Sequence, residues 1–162
     1  MMNPGMRRRP AMRNYGIATE DTGLMSWDWV DGQMAKARSY WICSTRPDGR
    51  PHAAPVWGVW YEGVLYFSTD TESRKARNLA ARPDVVVHLE SGDDSVILEG
   101  VVEVIIDRTL LRQVGKAYAQ KYPPYDPVGD ETPGLWYALR PATALAWQEH
   151  DFPHTATRWD FA

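Results

Sequence analysis

The sequence predicts a mainly β fold in which one sheet curls into a small barrel carrying a few helices. Three observations point there. Short apolar runs follow one another at hairpin distance, with Pro-Asp-Gly at 47–49 and Glu-Gly at 62–63 between them. The run "SVILEGVVEVII" (95–106) alternates: Val96, Leu98, Val102, Val104 and Ile106 share one face, and Glu99 and Glu103 fall on the other. Helical patterns are few and do not alternate with the strands as βαβ units would. Closing a sheet removes its exposed edges, so a closed or nearly closed barrel of about six or seven strands with two or three helices is expected.

Taken in order, residues 1–22 carry Pro, Gly and Arg without periodicity and read as a flexible arm before one domain, 23–162. Ser26 is placed to cap a helix over "WDWVDGQMAKAR", with Asp28 early and Lys36 and Arg38 late, as the helix dipole favours. Strands are expected at "SYWICST" (39–45), "RPHAAPVWGVW" (50–60) and "VLYFST" (64–69). A short helix follows over about 72–82, with Arg74, Lys75 and Asn78 on its polar stripe and Ala76, Leu79 and Ala80 on its buried one; Pro83 ends it. "DVVVHLE" (84–90) is a strand, and Gly100 marks a bend in the next. "RTLLRQVGKAYAQKY" (108–122) is a helix with Leu110, Leu111, Val114 and Tyr118 as its apolar stripe. "PPYDPVGDETPG" is a loop, and "LWYALRP", "TALAWQEH" and "TATRWDF" are three closing strands.

The chain has 162 residues, enough for one domain with a core. A net charge of −3 argues against general nucleic-acid binding. No apolar run approaches the ~18–20 residues that span a bilayer. Arg7, Arg8 and Arg9 are followed by Pro10, Ala11, Met12, Arg13 and Asn14, which is not the apolar core of a signal peptide. A single cysteine, Cys43, fits a reducing compartment and reads as a small buried hydrophobe. A cytoplasmic location is therefore expected. Eight Trp and eight Tyr against three Phe favour surfaces that are apolar yet need polar contacts, as at interfaces and around flat ligands.

The stretch "STDTESRKARNLAARPDVVVHLES" (68–91) concentrates the candidate chemistry. A helix start leaves backbone N–H groups unpaired and carries partial positive charge. Ser73 adds a hydroxyl, and Arg74 and Lys75 add two cations, a set suited to a phosphate. From this segment alone, a solvated helix start accounts for the same residues, and Glu72 would repel a phosphate unless it caps the helix with Thr69.

The order of these segments resembles a family. "FSTDTESRKARNLAARPDVVVHL", preceded by "DGRPHAAPVW" and "YEGVLYF" and followed by "VILEGVVEVI", resembles the pyridoxamine 5'-phosphate oxidase-like, FMN-binding split β-barrels over about residues 38–161. The ending "HTATRWDF" resembles the deazaflavin-dependent branch. The resemblance implies a split-barrel homodimer with cofactor sites at the subunit interface and FMN or the deazaflavin coenzyme F-420 as cofactor. By position it implies that Ser73, Arg74, Lys75 and Asn78 hold the cofactor phosphate. Pro55, Val56 and Trp57 would line the ring system, and Ser68 and Thr69 would bond near the polyol chain. Arg158 and Trp159 would reach across from the partner subunit or close the barrel end. Oxidases of pyridoxamine phosphate carry Arg-x-His near the C-terminus for the substrate phosphate; "QEHDFPHTATRWDFA" has no such motif, which speaks against vitamin B6 as substrate.

Other constellations are weaker. His150 and His154 have helical metal-ligand spacing, but Pro153 lies between them, and no metal site is expected. His52 and His88 read as strand residues, His52 being the better substrate contact. No catalytic acid or base stands out, which hydride transfer tolerates because the cofactor carries the chemistry. The expected activity is an oxidoreductase that passes a hydride from F-420, or from FMN, to a small conjugated substrate. The alternatives are an FMN-dependent oxidase or reductase and a non-catalytic flavin carrier. Arg46, Arg50 and the Arg7–Arg9 arm are the cations available to an anionic F-420 tail.

Overall fold

The structure, a computed structural model, describes residues 5–127 and 134–161. Its elements are β1 (Met6–Arg8), α1 (Trp27–Lys36), β2 (Tyr40–Thr45), β3 (Pro51–Val56), β4 (Gly58–Tyr61), β5 (Val64–Asp70), α2 (Arg74–Ala81), β6 (Asp84–His88), β7 (Asp94–Val104), α3 (Arg108–Lys121), β8 (Gly134–Gln148), a 3-10 turn (Glu149–Asp151), α4 (Phe152–Thr155) and β9 (Thr157–Asp160). The expected loop at 123–134 lies partly outside the described residues.

Local chemistry accounts for the boundaries. Ser26 caps α1 by accepting from Trp29 N at 3.2 Å, and Val30 and Met34, one turn apart, are fully buried. Glu62 and Gly63 both have positive φ, 52° and 78°, the geometry of a two-residue hairpin turn that matches strand twist, so β4 folds back on β5. Asp107 caps α3 through Thr109 N and Leu110 N at 2.7 and 3.3 Å. Along β5 both faces are buried. Leu65 and Phe67 enter the main core with Tyr40, Ile42, Val87, Leu98, Leu139 and Trp159, while Val64 and Tyr66 enter a second core under α3 with Val114, Tyr118 and Tyr122.

The expected barrel does not form. The nine strands make an open sheet in the order β1-β9-β8-β7-β6-β2-β3, with β5 branching from β8 and β4 pairing only with β5. The fold is mixed α/β with a large sheet that does not close. The reason lies at Trp57. "RPHAAPVWGVW" does not run as one strand: it breaks there, β3 stays on β2, and β4 leaves to pair with β5. β3 is thus left as an edge, and no strand pairing joins it to β1 at the other end.

Three further expectations change. "LWYALRP" and "TALAWQEH" belong to one strand of 15 residues. Pro141 is accommodated because it faces Gly100 at a register shift, where Ala142 is the extra residue and its carbonyl accepts from Phe161 N at 2.9 Å. At the bend expected at Gly100, an added Cβ would lie 2.6 Å from the Arg140 carbonyl. Val104 and Ile106, expected on one face with Val96, Leu98 and Val102, are 47% and 86% exposed, because β7 ends at Val104 and this end of the chain runs past the core. On α2, Ala80 is exposed and Asn78 is buried, the reverse of the expected stripes.

Residues 6–9 are joined to the rest of the fold. β1 pairs with β9, and Arg8 bridges Asp160 at 2.8 Å. Arg7 donates to the Met25 carbonyl. Arg9 donates to the carbonyls of Glu20, Thr22, His154 and Ala156, at 2.6–3.2 Å. Among the described residues no helix is long and apolar enough to cross a membrane.

Candidate functional site

The start of α2 is held from two sides. Asp70 Oδ1 accepts from Glu72 N at 2.7 Å, and the Asp70 carbonyl accepts from Ser73 N at 3.0 Å, which turns the chain out of β5. Ser73 is the cap: its Oγ accepts from Ala76 N at 3.1 Å and shares a hydrogen bond with Thr69 Oγ1 at 3.0 Å. Glu72 therefore does not cap the helix. Arg74 is exposed and Lys75 half-buried, and their amides sit in the first turn, where the helix supplies no carbonyl.

Opposite them lies one face of the β2–β3 hairpin. Ser44 and Arg46 are two residues apart, and Ser44 is the register partner of His52, so the three side chains share a side. Asn78, fully buried, joins this face by donating from Nδ2 to Ser44 Oγ at 2.9 Å. Among the described residues, the buried side-chain polar atoms without a partner are Arg46 Nε, His52 Nδ1 and Asn78 Oδ1. All belong to this face. An unpaired buried polar atom is costly and rare in a folded chain, and three together leave this face with hydrogen-bonding capacity that the described residues do not use.

Electrostatics agree. Desolvation pushes the His52 imidazolium down first, followed by repulsion from Arg46, Lys75 and Arg74. Three cations thus act on one imidazole; none is within ion-pair distance of a carboxylate among the described residues, although, after the Arg50 hydrogen bond, Arg46 and Arg74 also help to hold the Asp48 carboxyl down. Asp48 lies at the edge, held by Arg50 at 2.7 Å. An anion with several oxygens suits this arrangement, with Arg46 Nε and the first-turn amides as donors.

The other end of β3 is aromatic. From His52 to Trp57 the strand advances about 17 Å at ~3.3 Å per residue. Pro55 is exposed, Val56 is buried, and Trp57 is 44% exposed although its indole stacks on Tyr122 at 4.6 Å between centroids and 2° between planes. Behind the stack, the Tyr122 hydroxyl accepts from Gly58 N at 3.0 Å and donates to the Arg38 carbonyl at 2.6 Å. Lys121 Nζ donates to Tyr40 Oη at 2.9 Å and to the Gly58 carbonyl at 2.8 Å. Burial, then Arg38, pushes the Lys121 ammonium down to about 8.

The family model described as "Pyridoxamine 5'-phosphate oxidase" matches residues 28–147. The chain belongs to this family. No curated protein matches it significantly. Among solved structures, a conserved hypothetical protein from Mycobacterium tuberculosis is 25% identical with a TM-score of 0.70, the match covering 85% of this chain and 90% of that one. A structure named F420 reductase is 24% identical with a TM-score of 0.56, covering 69% and 93%. A heme storage protein from Vibrio cholerae is 15% identical with a TM-score of 0.60, covering 69% and 87%. The last two show the fold alone.

Within this member of the pyridoxamine 5'-phosphate oxidase family, the residues expected at the site divide. Ser73, Arg74, Lys75, Thr69 and Asn78 come together, whereas Pro55 and Val56 lie at the far end of the edge strand β3, with Trp57 just beyond it. Ser68 borders them, its hydroxyl committed to the Leu135 carbonyl at 3.1 Å. Arg158 lies apart on β9, bridging Asp160 at 2.7 Å and donating to Thr143 Oγ1 at 3.2 Å. Trp159 is 1% exposed and packs edge-on against Trp27 in the core. It fills the core of its own chain, where no ligand surface reaches it.

His150 lies within the 3-10 turn and His154 in α4, with His154 Nδ1 2.6 Å from Asp151 Oδ1, and no group of three or more metal-ligating side chains gathers among the described residues. Cys43 is half-buried, and burial pushes its thiol up. Sequence reasoning missed Ser44, Arg38, Lys121 and Tyr122. Only the Lys121-Tyr122 pair at the end of an amphipathic helix hinted at them.

Proposed function

We propose that this chain is an oxidoreductase that binds a phosphate-bearing flavin-type cofactor along β3 and uses it to reduce a small conjugated substrate. The observation that carries the proposal is the set of three buried polar atoms without a partner among the described residues, one of them on Arg46, beside the cations Arg74 and Lys75 at the start of α2. The phosphate would lie against Ser73, Arg74 and Lys75, with Arg46 Nε as a further donor. Asn78 Oδ1 and Thr69 are placed for hydroxyls of the polyol chain. Pro55, Val56 and Trp57 would border the rings, about 17 Å away by strand length.

When bound, such a cofactor supplies a hydride-carrying ring. The protein's part is to anchor the phosphate, hold the ring against the edge of β3 and exclude water from its working face. Reduction is favoured over oxidation because Lys121 holds a proton beside the ring-bordering segment.

The cofactor is F-420 in the first reading, on the likeness of the "TATRWDF" ending. FMN is the second, and a specific observation favours it: most cations assigned to an anionic tail are already engaged. Arg50 pairs with Asp48, and Arg7, Arg8 and Arg9 bond carbonyls or Asp160 within the chain. The site is proposed to work in a homodimer, with the open edge of β3 beside the partner subunit. Titration with both cofactors, followed by a turnover assay with an electron acceptor, separates the two readings from a carrier that binds without turnover.

A further inference from the structure

A second charged cluster stands at the far end of β3, apart from the phosphate-like site. Arg38 Cζ is 5.8 Å from the Trp57 ring centroid and 6.0 Å from that of Tyr122. Those centroids are 4.6 Å apart in parallel rings. Near-equal distances place the guanidinium beside the stack, so it does not cover the outer face of Trp57. Lys121 Nζ lies 5.2 Å from the Tyr122 centroid and 4.6 Å from that of Tyr40. Tyr125 meets Trp57 edge-on at 6.5 Å.

Two cations therefore flank one aromatic stack, and neither has an ion pair among the described residues. Asp31, the acid on the neighbouring helix, is occupied by Trp60 Nε1 at 2.7 Å. A purely structural clamp needs one cation over an aromatic face. It does not need a second at close range, where the two repel. The 44% exposure of Trp57 despite its covered face is likewise poor economy for packing alone.

We propose that Trp57, Arg38 and Lys121 form the recognition site for a planar conjugated carboxylate, stacked on the free indole face with its anion at Arg38. Calling this ligand the substrate rests on the hydride-transfer reading above; its binding does not. Trp57 supplies the flat contact, Arg38 a two-pronged donor for the carboxylate, and Lys121 a second positive charge that favours an anion and repels cationic analogues. The site thus selects anionic over neutral flat molecules.

The test is equilibrium dialysis of the full chain, without cofactor, against 2-naphthoate and 2-naphthamide. The carboxylate is expected to bind about tenfold or more tighter than the amide, the loss expected for one charge-assisted hydrogen bond. Arg38→Gln should erase that preference and leave amide binding unchanged. Trp57→Ala should weaken both probes several-fold, and Trp57→Phe should restore most of the loss. Lys75→Ala should leave both probes unaffected while weakening cofactor binding, so failure of this site and failure of the phosphate site are separate results. Equal affinity for acid and amide, no measurable binding of either, or an acid preference that survives Arg38→Gln overturns the proposal.

Discussion

Asn78 Nδ2 donates to Ser44 Oγ across 2.9 Å and fastens the buried face of α2 to β2. Both residues are buried, so the bond fixes where the first turn of α2 stands relative to the β2–β3 hairpin. Replacing Asn78 by Ala strands the Ser44 hydroxyl and should cost about 1–3 kcal/mol. Chemical denaturation measures it. In the Ser44→Ala, Asn78→Ala pair the two losses should be clearly less than additive; full additivity would mean that the bond holds nothing together.

Lys75→Ala removes one charge-assisted contact from the proposed phosphate site, about 1.5–3 kcal/mol. Cofactor affinity should fall roughly tenfold or more. The unfolding midpoint without cofactor should stay in place, because Lys75 has no ion pair to lose among the described residues. Unchanged affinity would return Ser73–Lys75 to a solvated helix start.

Lys121 sets a pH dependence whose sign is fixed. In the folded chain burial holds it down to about 8, against 10.5 for a free lysine. Between these values the unfolded chain binds more protons, so stability should rise from pH 8 towards pH 10. Above pH 10 the buried tyrosines Tyr40 and Tyr118, whose hydroxyls burial pushes up, act in the opposite direction. Thermal unfolding at intervals from pH 7.5 to 10 reads the slope. Lys121→Met should flatten it, and a wild-type profile already flat or falling would contradict the assigned environment.

A homodimer is expected from the surface. Val101, Val104, Ile106 and Leu135 are 38–86% exposed, and β3 keeps an open edge. Light scattering at micromolar concentration should give about twice the 18.4 kDa chain mass. A monomer would require a cofactor site complete within one chain.

How much of this was legible in the sequence depended on whether the signal was local. Ser26 as a cap, the Glu62-Gly63 turn and the Gly100 bend all follow from short-range rules and stand where those rules put them, whereas α2 is capped by Ser73 and not by the expected Glu72 with Thr69. Sheet closure is not local. Nothing in "PVWGVW" announces that pairing changes partner at Trp57, because both halves are equally strand-like. Pro141 misled for a related reason: its cost disappears only because Gly100, far away in sequence, lies opposite. At the site, Ser73–Lys75 could be read from one segment. Arg38, Lys121 and Tyr122 could not, since their partners are Trp57, Tyr40 and Gly58 on other elements. Asn78 was placed on the polar stripe by its type; one buried bond to Ser44 reverses that.

The central claim is that a flavin-type cofactor is held by its phosphate at the start of α2. Fluorescence titration of the chain with FMN, with riboflavin and with F-420 tests it most directly. Riboflavin has the ring and polyol of FMN but no phosphate. The account predicts that FMN or F-420 binds, that riboflavin binds about tenfold or more weaker than FMN, and that Lys75→Ala narrows that gap. Tighter F-420 binding that weakens from low to high salt more than FMN binding does would select the deazaflavin, because screening shortens the reach of exposed charges to a few Å. Equal affinity for FMN and riboflavin, or no binding by any of the three, would contradict the claim.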